Sequence, residues 1–377
     1  MNVLYVCADR GIPLLGSKGA SVHVRSVTSA LQSLGHHVTL AARRIDSGNS
    51  APHVDHIVRL AADPDRAADQ LSALIADVGA DVVIERYSLQ SGAARIATRR
   101  HGVPLTLEVN APLVAEASRF RGLADPNAQA WEHETLRAAD RIQVVSSALL
   151  RYVRAVAPGV PAAWIPNGAD VSAFRNSPPV EHPALNGRSV VGFSGSMKPW
   201  HGVAELLDAF AEIPTPDAVL LLLGSGPQDD ALRQRAAAAD LRGRVHFAGQ
   251  QPHHAVPAWL ARFDVAVAPY RPEADFYFHP LKIVEYLAAG APVVYPEQGD
   301  LPELVGDAGH GYPPGDYSRM TGHIVRLLAD DGLRGALSEA ATARARHFDW
   351  RRIAARLIDF ACPPLPLQPR PTEQATP

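Results

Sequence analysis

A chain of 377 residues, 47% hydrophobic and with a formal charge of −3, is longer than one core usually serves, so two domains are expected. The charge balance excludes the basic field of a nucleic-acid binder and the acidic tail of a solvating segment. No apolar run reaches the ~18 residues of a membrane span, and MNVLYVCADRG enters a strand directly from Met1 without the charged start and apolar core of a secretory leader. Cys7 and Cys362 have no zinc-like spacing and suit two reduced thiols, so a cytoplasmic protein is expected.

In chain order, NVLYVCA reads as a strand that passes through the loop GIPLLGSKGAS into ASVHVRSVTSALQSLG. The apolar spacing of that segment is helical, and Gly35 ends it before the strand HHVTLAAR, which completes a βαβ unit. VDHIVRL, DVVIERY, PLTLEV and RIQVVS follow as further strands with Ala- and Arg-rich helices between them. Such alternation predicts a parallel, doubly wound sheet. Residues 175–189, RNSPPVEHPALNGRS, break the alternation with prolines and polar residues, as a linker would. The pattern then restarts with SVVGFSG, AVLLLLG, RVHFAG, DVAVAPY and APVVYP, a second parallel sheet. Ligands of such sheets bind beyond the carboxyl ends of the strands, where the glycine loops fall. Residues 362–377, CPPLPLQPRPTEQATP, are expected to be a mobile tail.

The segment HPLKIVEYLAAGAPVV, 279–294, is a short, sharply bounded helix and a buried strand. Pro280 suits the first helical position, Gly290 the left-handed residue past the end, and Pro292 a stop. Lys282 and Glu285 share a helix face. A helix N-terminus favours an anion, so Lys282 suits a phosphate, and Glu285 one turn deeper suits a ribose diol. A solvated ion pair explains the same spacing, and both readings are open at this point. Among the 36 lysines and arginines only Lys18, Lys198 and Lys282 are lysine, and all three stand in glycine- or proline-marked loops. A compact ammonium is a good partner for phosphate oxygens.

Other motifs are weaker. Ser17 separates Gly16 from Lys18 and spoils a P-loop, and Gly11, Gly16 and Gly19 lack the dinucleotide spacing. Asp63-Pro64-Asp65 matches the metal-binding D-x-D pattern, but an Asp cap before a helical proline accounts for it better. The pairs His36-His37 and His253-His254 and the lone His133 lack ligand spacing, and no G-x-S-x-G elbow is present. No metal site is expected.

In their order, GSKGASVHV, PNGAD, GFSGSMKPWHGVAELLDAF, LLLGSGP, VHFAGQ and HPLKIVEYLAAGAPVV resemble the retaining glycosyltransferases of family 4, over the span from Met1 to about Phe360. The most specific part is the last, and it points to a subgroup with a PLK-x-x-E donor motif. The resemblance implies the GT-B fold, an α/β architecture of two Rossmann-like doubly wound parallel-sheet domains facing across a cleft. Residues 1–174 would form an acceptor domain completed by the C-terminal helix at 349–361, and residues 188–348 the nucleotide-sugar donor domain. The implied reaction moves a glycosyl group from a nucleotide diphosphate sugar to a hydroxyl, with retention and with neither metal nor resident cofactor. The acceptor would be a small molecule, a lipid or a glycan. Nucleic acid is not expected as a partner, and membrane contact would be at most peripheral.

Residue by residue, Glu285 matches the glutamate that holds the ribose, and His279, Pro280, Leu281 and Lys282 match the turn facing the diphosphate. Gly19, Gly195, Ser196 and Gly224 match the loops that let the donor approach, with the base near Gly224 to Gly226, Gly249 and Tyr270. Three positions depart from the family. Tyr277 replaces its first glutamate, Ser196 the basic residue after the first glycine, and His201 the lysine before Gly202. Lys198 and Lys282 would then supply the positive charge that stabilises the leaving diphosphate. Lys18, His23 and Asn110 are candidates for the acceptor side, and a packing or capping role for His23 and Asn110 is open beside it. The departures keep two alternatives open: a sugar-nucleotide-binding protein without turnover, and a hexosamine epimerase on the same fold.

Overall fold

The apolar runs become strands covered on both faces, which is why they lack the alternation of a half-exposed strand. The computed structural model describes residues 1–46, 48, 50–89, 92–122 and 125–362; apart from Cys362, the tail read at 362–377 lies outside them. β1 (Asn2–Cys7), β2 (His37–Ala42), β3 (His56–Arg59), β4 (Val82–Arg86), β5 (Leu105–Val109), β6 (Arg141–Val144) and β7 (Ala162–Trp164) form one sheet in the order β3-β2-β1-β4-β5-β6-β7. β8 (Ser189–Ser194), β9 (Ala218–Leu223), β10 (Val245–Gly249), β11 (Val265–Val267), β12 (Val293–Pro296) and β13 (Gly309–Tyr312) form the second, in the order β10-β9-β8-β11-β12-β13. Every pairing is parallel. Both orders reverse direction once, between β1 and β4 and between β8 and β11, and ligands of doubly wound sheets bind at such switch points. The edge strands β7 and β13, AAW and GHGY, are too short and too weakly apolar to be read from the sequence.

The first helix, Gly19–Ser33, buries Val24, Val27 and Leu31 against Trp350, Ile353, Leu357 and Ile358 of the last helix, Trp350–Ala361. The helix Trp350–Ala361 therefore packs into the first domain. The two crossings between domains touch each other: Ala169 N donates to Phe348 O at 2.9 Å and Trp350 N to Ala169 O at 3.1 Å. Gly168 is needed there, because a Cβ would stand 2.7 Å from the Phe348 carbonyl and 2.8 Å from the Trp350 ring.

One expected boundary needs correction. Ala169, Val171, Phe174 and Leu185 belong to the core of the second domain, so that domain begins near residue 169 and not at 188. The prolines in 175–189 mark chain without regular structure, but Leu185 still anchors it by apolar burial. Asp63 caps the helix Pro64–Val78 by accepting from Arg66 N, with Pro64 in the first turn. No helix among the described residues is long and apolar enough to cross a membrane.

Candidate active site

Three glycine loops stack at the carboxyl ends of β8, β9 and β10. Gly195 N donates to Leu223 O at 2.9 Å and Gly224 N to Gly249 O at 2.8 Å, so adjacent loops are zipped by their backbones. Gly195 and Gly224 hold φ of 140° and 127°, and a Cβ on Gly224 would lie 2.0 Å from Gly195 O. No other residue type fits at Gly224. The result is a floor of bare backbone that another molecule can approach closely.

The donor helix runs Leu281–Ala288 with Pro280 as its extended cap, one position earlier than the sequence reading placed it. Lys282 is 7% exposed, and its Nζ finds no hydrogen-bond acceptor among the described residues. The amine rests 4.0 Å from the Phe193 ring centre and 5.2 Å from that of Tyr270, directly beneath Gly195. Burial pulls its pKa from 10.5 down to about 7, only partly opposed by Glu285. A buried amine without an acceptor is costly, so its position under an anion-sized floor is the feature most in need of a chemical explanation. His201 lies against the same aromatic groups, 5.3 Å from Tyr270 and 6.1 Å from Phe193 between ring centres. Its Nδ1 bonds the Ser196 carbonyl, while burial and the charge of Lys282 press its pKa down to about 2. His201 is thus a neutral ring where the family resemblance leads one to expect a cation, and Lys282 carries the positive charge of this corner. Lys198 lies 4.7 Å over the Trp200 ring in the loop after β8, close enough to His201 to affect it electrostatically.

Glu285, one turn below Lys282, is partly covered, and His253 Nε2 stands 3.5 Å from its Oε1. The sequence offered no reason to pair them, since His253 comes from the loop after β10, 32 residues away in number but across the mouth of the same site. The Tyr286 hydroxyl accepts from Ser194 N at 2.7 Å and ties the donor helix to the end of β8.

On the facing domain, the central feature is a carboxylate that the sequence reading passed over. Glu108 in β5 is 1% exposed and receives the Tyr5 hydroxyl at 3.0 Å, Arg86 at 3.0 Å and the Asn110 amide at 2.7 Å. His23 Nε2 lies 2.8 Å from it, off the line of a good hydrogen bond. Burial alone would raise the Glu108 pKa, but His23, Arg86 and Asn110 outweigh it and hold the carboxyl at about 2. The signal was present as charge inside apolar strands, in PLTLEV and VVIERY.

The predicted residues divide into groups. Gly195, Ser196, Gly224, Lys282 and His201 gather around the loops of the donor domain, with Lys198 beside them. Gly19 faces them from the other domain, where a Cβ would meet Leu281 Cδ1 at 3.5 Å, and Ser17 contacts Gln250 beside it. Lys18 is exposed and donates to Gly11 O at 3.0 Å, so it stands at the rim. Asn110 uses its amide nitrogen on Glu108 and sits at the carboxyl end of β5. His23 requires correction: it is buried, and its ring nitrogens face Glu108 and Asn167. That leaves no free atom for an acceptor, and it is a bridge between elements. Tyr277 departs furthest. Its ring joins the core of the first domain and its hydroxyl bonds Glu116 there, so it spans the cleft.

Two Rossmann-like domains, glycine floors at strand ends and a lysine-bearing helix N-terminus define a GT-B architecture, and comparison with known proteins agrees. Residues 18–168 match the family model described as glycosyl transferase 4-like domain, and residues 188–330 that described as glycosyl transferases group 1. The chain belongs to these GT-B glycosyltransferases and is an enzyme of that class. A phosphatidyl-myo-inositol mannosyltransferase of Mycolicibacterium smegmatis is 27% identical over 90% of this chain and 89% of its own. From the same organism, a GDP-mannose-dependent alpha-(1-6)-phosphatidylinositol monomannoside mannosyltransferase is 30% identical over 56% of this chain and 58% of its own. Among solved structures, sucrose-phosphate synthase from Thermosynechococcus elongatus superposes with a TM-score of 0.73 at 22% identity, over 95% of this chain and 97% of that one, which concerns the fold.

Proposed function

We propose that the protein transfers a glycosyl group, with retention and without a metal, from a nucleotide diphosphate sugar to a hydroxyl acceptor. The observation that carries this reading is the buried, unpartnered amine of Lys282 beneath the glycine loops, with Glu285 one turn below it. As the sugar–phosphate bond breaks, charge accumulates on the leaving diphosphate. Lys282, Lys198 and the free N–H groups of the donor helix supply fixed positive potential where that charge grows. Glu285 holds the ribose diol, and His253 holds Glu285. The mannosyltransferase names among the relatives make GDP-mannose the first donor to try and an inositol-containing lipid the first acceptor. A cytoplasmic enzyme touching a membrane surface from outside fits such a pair.

The test joins affinity to turnover. Glu285→Gln is expected to weaken GDP binding by about 1–3 kcal/mol, the scale of a hydrogen bond to a charged group, and by less for 2′,3′-dideoxy-GDP. Equal losses for the two ligands, read by calorimetry, would remove Glu285 from the ribose. Release of GDP from GDP-mannose should persist in EDTA, and the anomeric configuration of the product, read by NMR, should match that of the donor. Activity that disappears with chelation and returns with manganese would overturn the metal-free part.

One observation favours a second reading, sugar-nucleotide binding without turnover: Tyr277 is committed to Glu116 across the cleft and presents no carboxylate to a donor sugar. GDP-mannose binding with no release of mannose to water or acceptor would select it.

A further inference from the structure

A chain of polar groups runs through the buried junction of the two domains. From the first domain, Glu108 of β5 lies 2.8 Å from His23 Nε2 on the first helix. His23 Nδ1 lies 2.7 Å from Asn167 Oδ1, and Asn167 Nδ2 donates to the carbonyl of His279 at 2.8 Å. His279 belongs to the other domain, immediately precedes Pro280 and stands three residues before Lys282. The ring of His23 is pinned by the edge of Trp350 at 5.3 Å, where the last helix begins. Asn167 is 6% exposed and His23 5%, so both are shielded from solvent.

The chemistry of the chain has one direction. The His279 carbonyl can only accept, which turns the amide nitrogen of Asn167 toward it and the amide oxygen toward His23. His23 must then donate from Nδ1, while its Nε2 faces the Glu108 carboxylate. Glu108 stands beside His23 by charge and proximity, and from His23 onward each member orients the next through a hydrogen bond; the last oriented atom belongs to the main chain of the turn that carries Lys282. The ring of His279 does not share in this, since neither of its nitrogens has a hydrogen-bond partner among the described residues. The turn is therefore held at its carbonyl by the facing domain.

We propose that Asn167 and His23 are positioning residues for the sugar-nucleotide donor: although they lie outside the donor domain's sheet, they fix the turn 279–282 through the His279 carbonyl and thereby set donor affinity. This rests on the donor site proposed above. Nothing in the family resemblance assigned them this task. The relay also explains why the crossing between domains is so closely packed at Gly168, since Asn167 reaches His279 only while Trp350 and Phe348 hold the crossing in place.

The experiment uses the full chain with GDP as probe. Asn167→Ala and Asn167→Asp are expected to raise the dissociation constant for GDP at least tenfold, the aspartate because its oxygen would oppose the His279 carbonyl. The acceptor KM at saturating donor should change less than twofold, although both substitutions lie on the acceptor side of the cleft. His23→Leu should behave like Asn167→Ala. His23→Asn, whose amide nitrogen occupies the place of Nδ1, should recover most of the affinity that leucine loses. Hydrogen exchange of the amides at 281–285, measured without ligand, should quicken in Asn167→Ala and in His23→Leu but not in His23→Asn. A wild-type chain that does not bind GDP would defeat the donor-site reading, and the exchange data would still decide the relay. Unchanged exchange at 281–285 in the folded Asn167 variants, or GDP affinity unchanged while the wild type binds, would overturn the proposal.

Discussion

Replacing Lys282 by methionine is expected to lower the rate of sugar transfer about a hundredfold while making the unliganded protein more stable below pH 7. The two effects have one cause. The amine is sealed between the Phe193 and Tyr270 rings with no acceptor, and burial brings its pKa to about 7. In the unfolded chain the same amine titrates near 10.5, so between pH 7 and 10.5 the unfolded state holds more protons and stability rises with pH. Below pH 7 the folded state carries the full cost of a desolvated charge, with an upper bound of roughly 5 kcal/mol from the size of the shift. Methionine has similar length, suits an aromatic surface and removes that cost. Thermal melts of both proteins from pH 6 to 10 should show the variant ahead at pH 6 and the gap closing toward pH 10. Catalysis reverses the sign, because a leaving diphosphate is the acceptor that the amine lacks. Loss of one preorganised charge contact costs about 3 kcal/mol in the transition state. Single-turnover kinetics at saturating donor provide the check: a methionine variant with the parental rate would make Lys282 a structural residue only.

Glu108→Ala should be the most destabilising single change in the first domain, by about 3–5 kcal/mol, because it leaves the Arg86 guanidinium and the His23 ring buried without their carboxylate. Glu108→Gln retains the shape and one acceptor and should cost less. The two differ from the parent in acid as well. The folded pKa of Glu108 lies at about 2, below the model-peptide value of 4.5, so the stability it contributes is complete above pH 4.5 and is lost as the pH falls through 2. Scanning calorimetry at pH 7 and pH 3 should find that the parent loses part of its advantage over the glutamine variant at the lower pH. An advantage that is the same at both values would mean that Glu108 is not held as an anion by its neighbours.

β1, β4, β5, β8 and β9 are continuous Val- and Leu-rich runs because both of their faces are buried, and their chemistry announces a parallel sheet without tertiary help. The turn 279–282 and Glu285 could be read locally as well, since a capped helix with a lysine and a glutamate on one face is a pattern of adjacent residues. Gly195 and Gly224 were legible as loop glycines, while the reasons they must be glycine are tertiary: the Gly195 carbonyl lies 2.0 Å from where a Gly224 Cβ would stand, and the Lys282 amine 2.7 Å from where a Gly195 Cβ would stand.

What the tertiary structure alone decided is every pairing between distant segments. Local pattern could not show that Tyr277 would leave the donor site for Glu116, that His253 would meet Glu285, or that the second core would start at Ala169. Nor could it show that His23, placed correctly at the start of the first helix, faces inward to Glu108 and Asn167 and not outward to an acceptor. Periodicity states which side of an element is buried, because burial depends on the side chains of that element. The partner across the interface depends on how two separately folded sheets are brought together, and that information is spread over the crossing at Gly168, the last helix and the turn before Lys282.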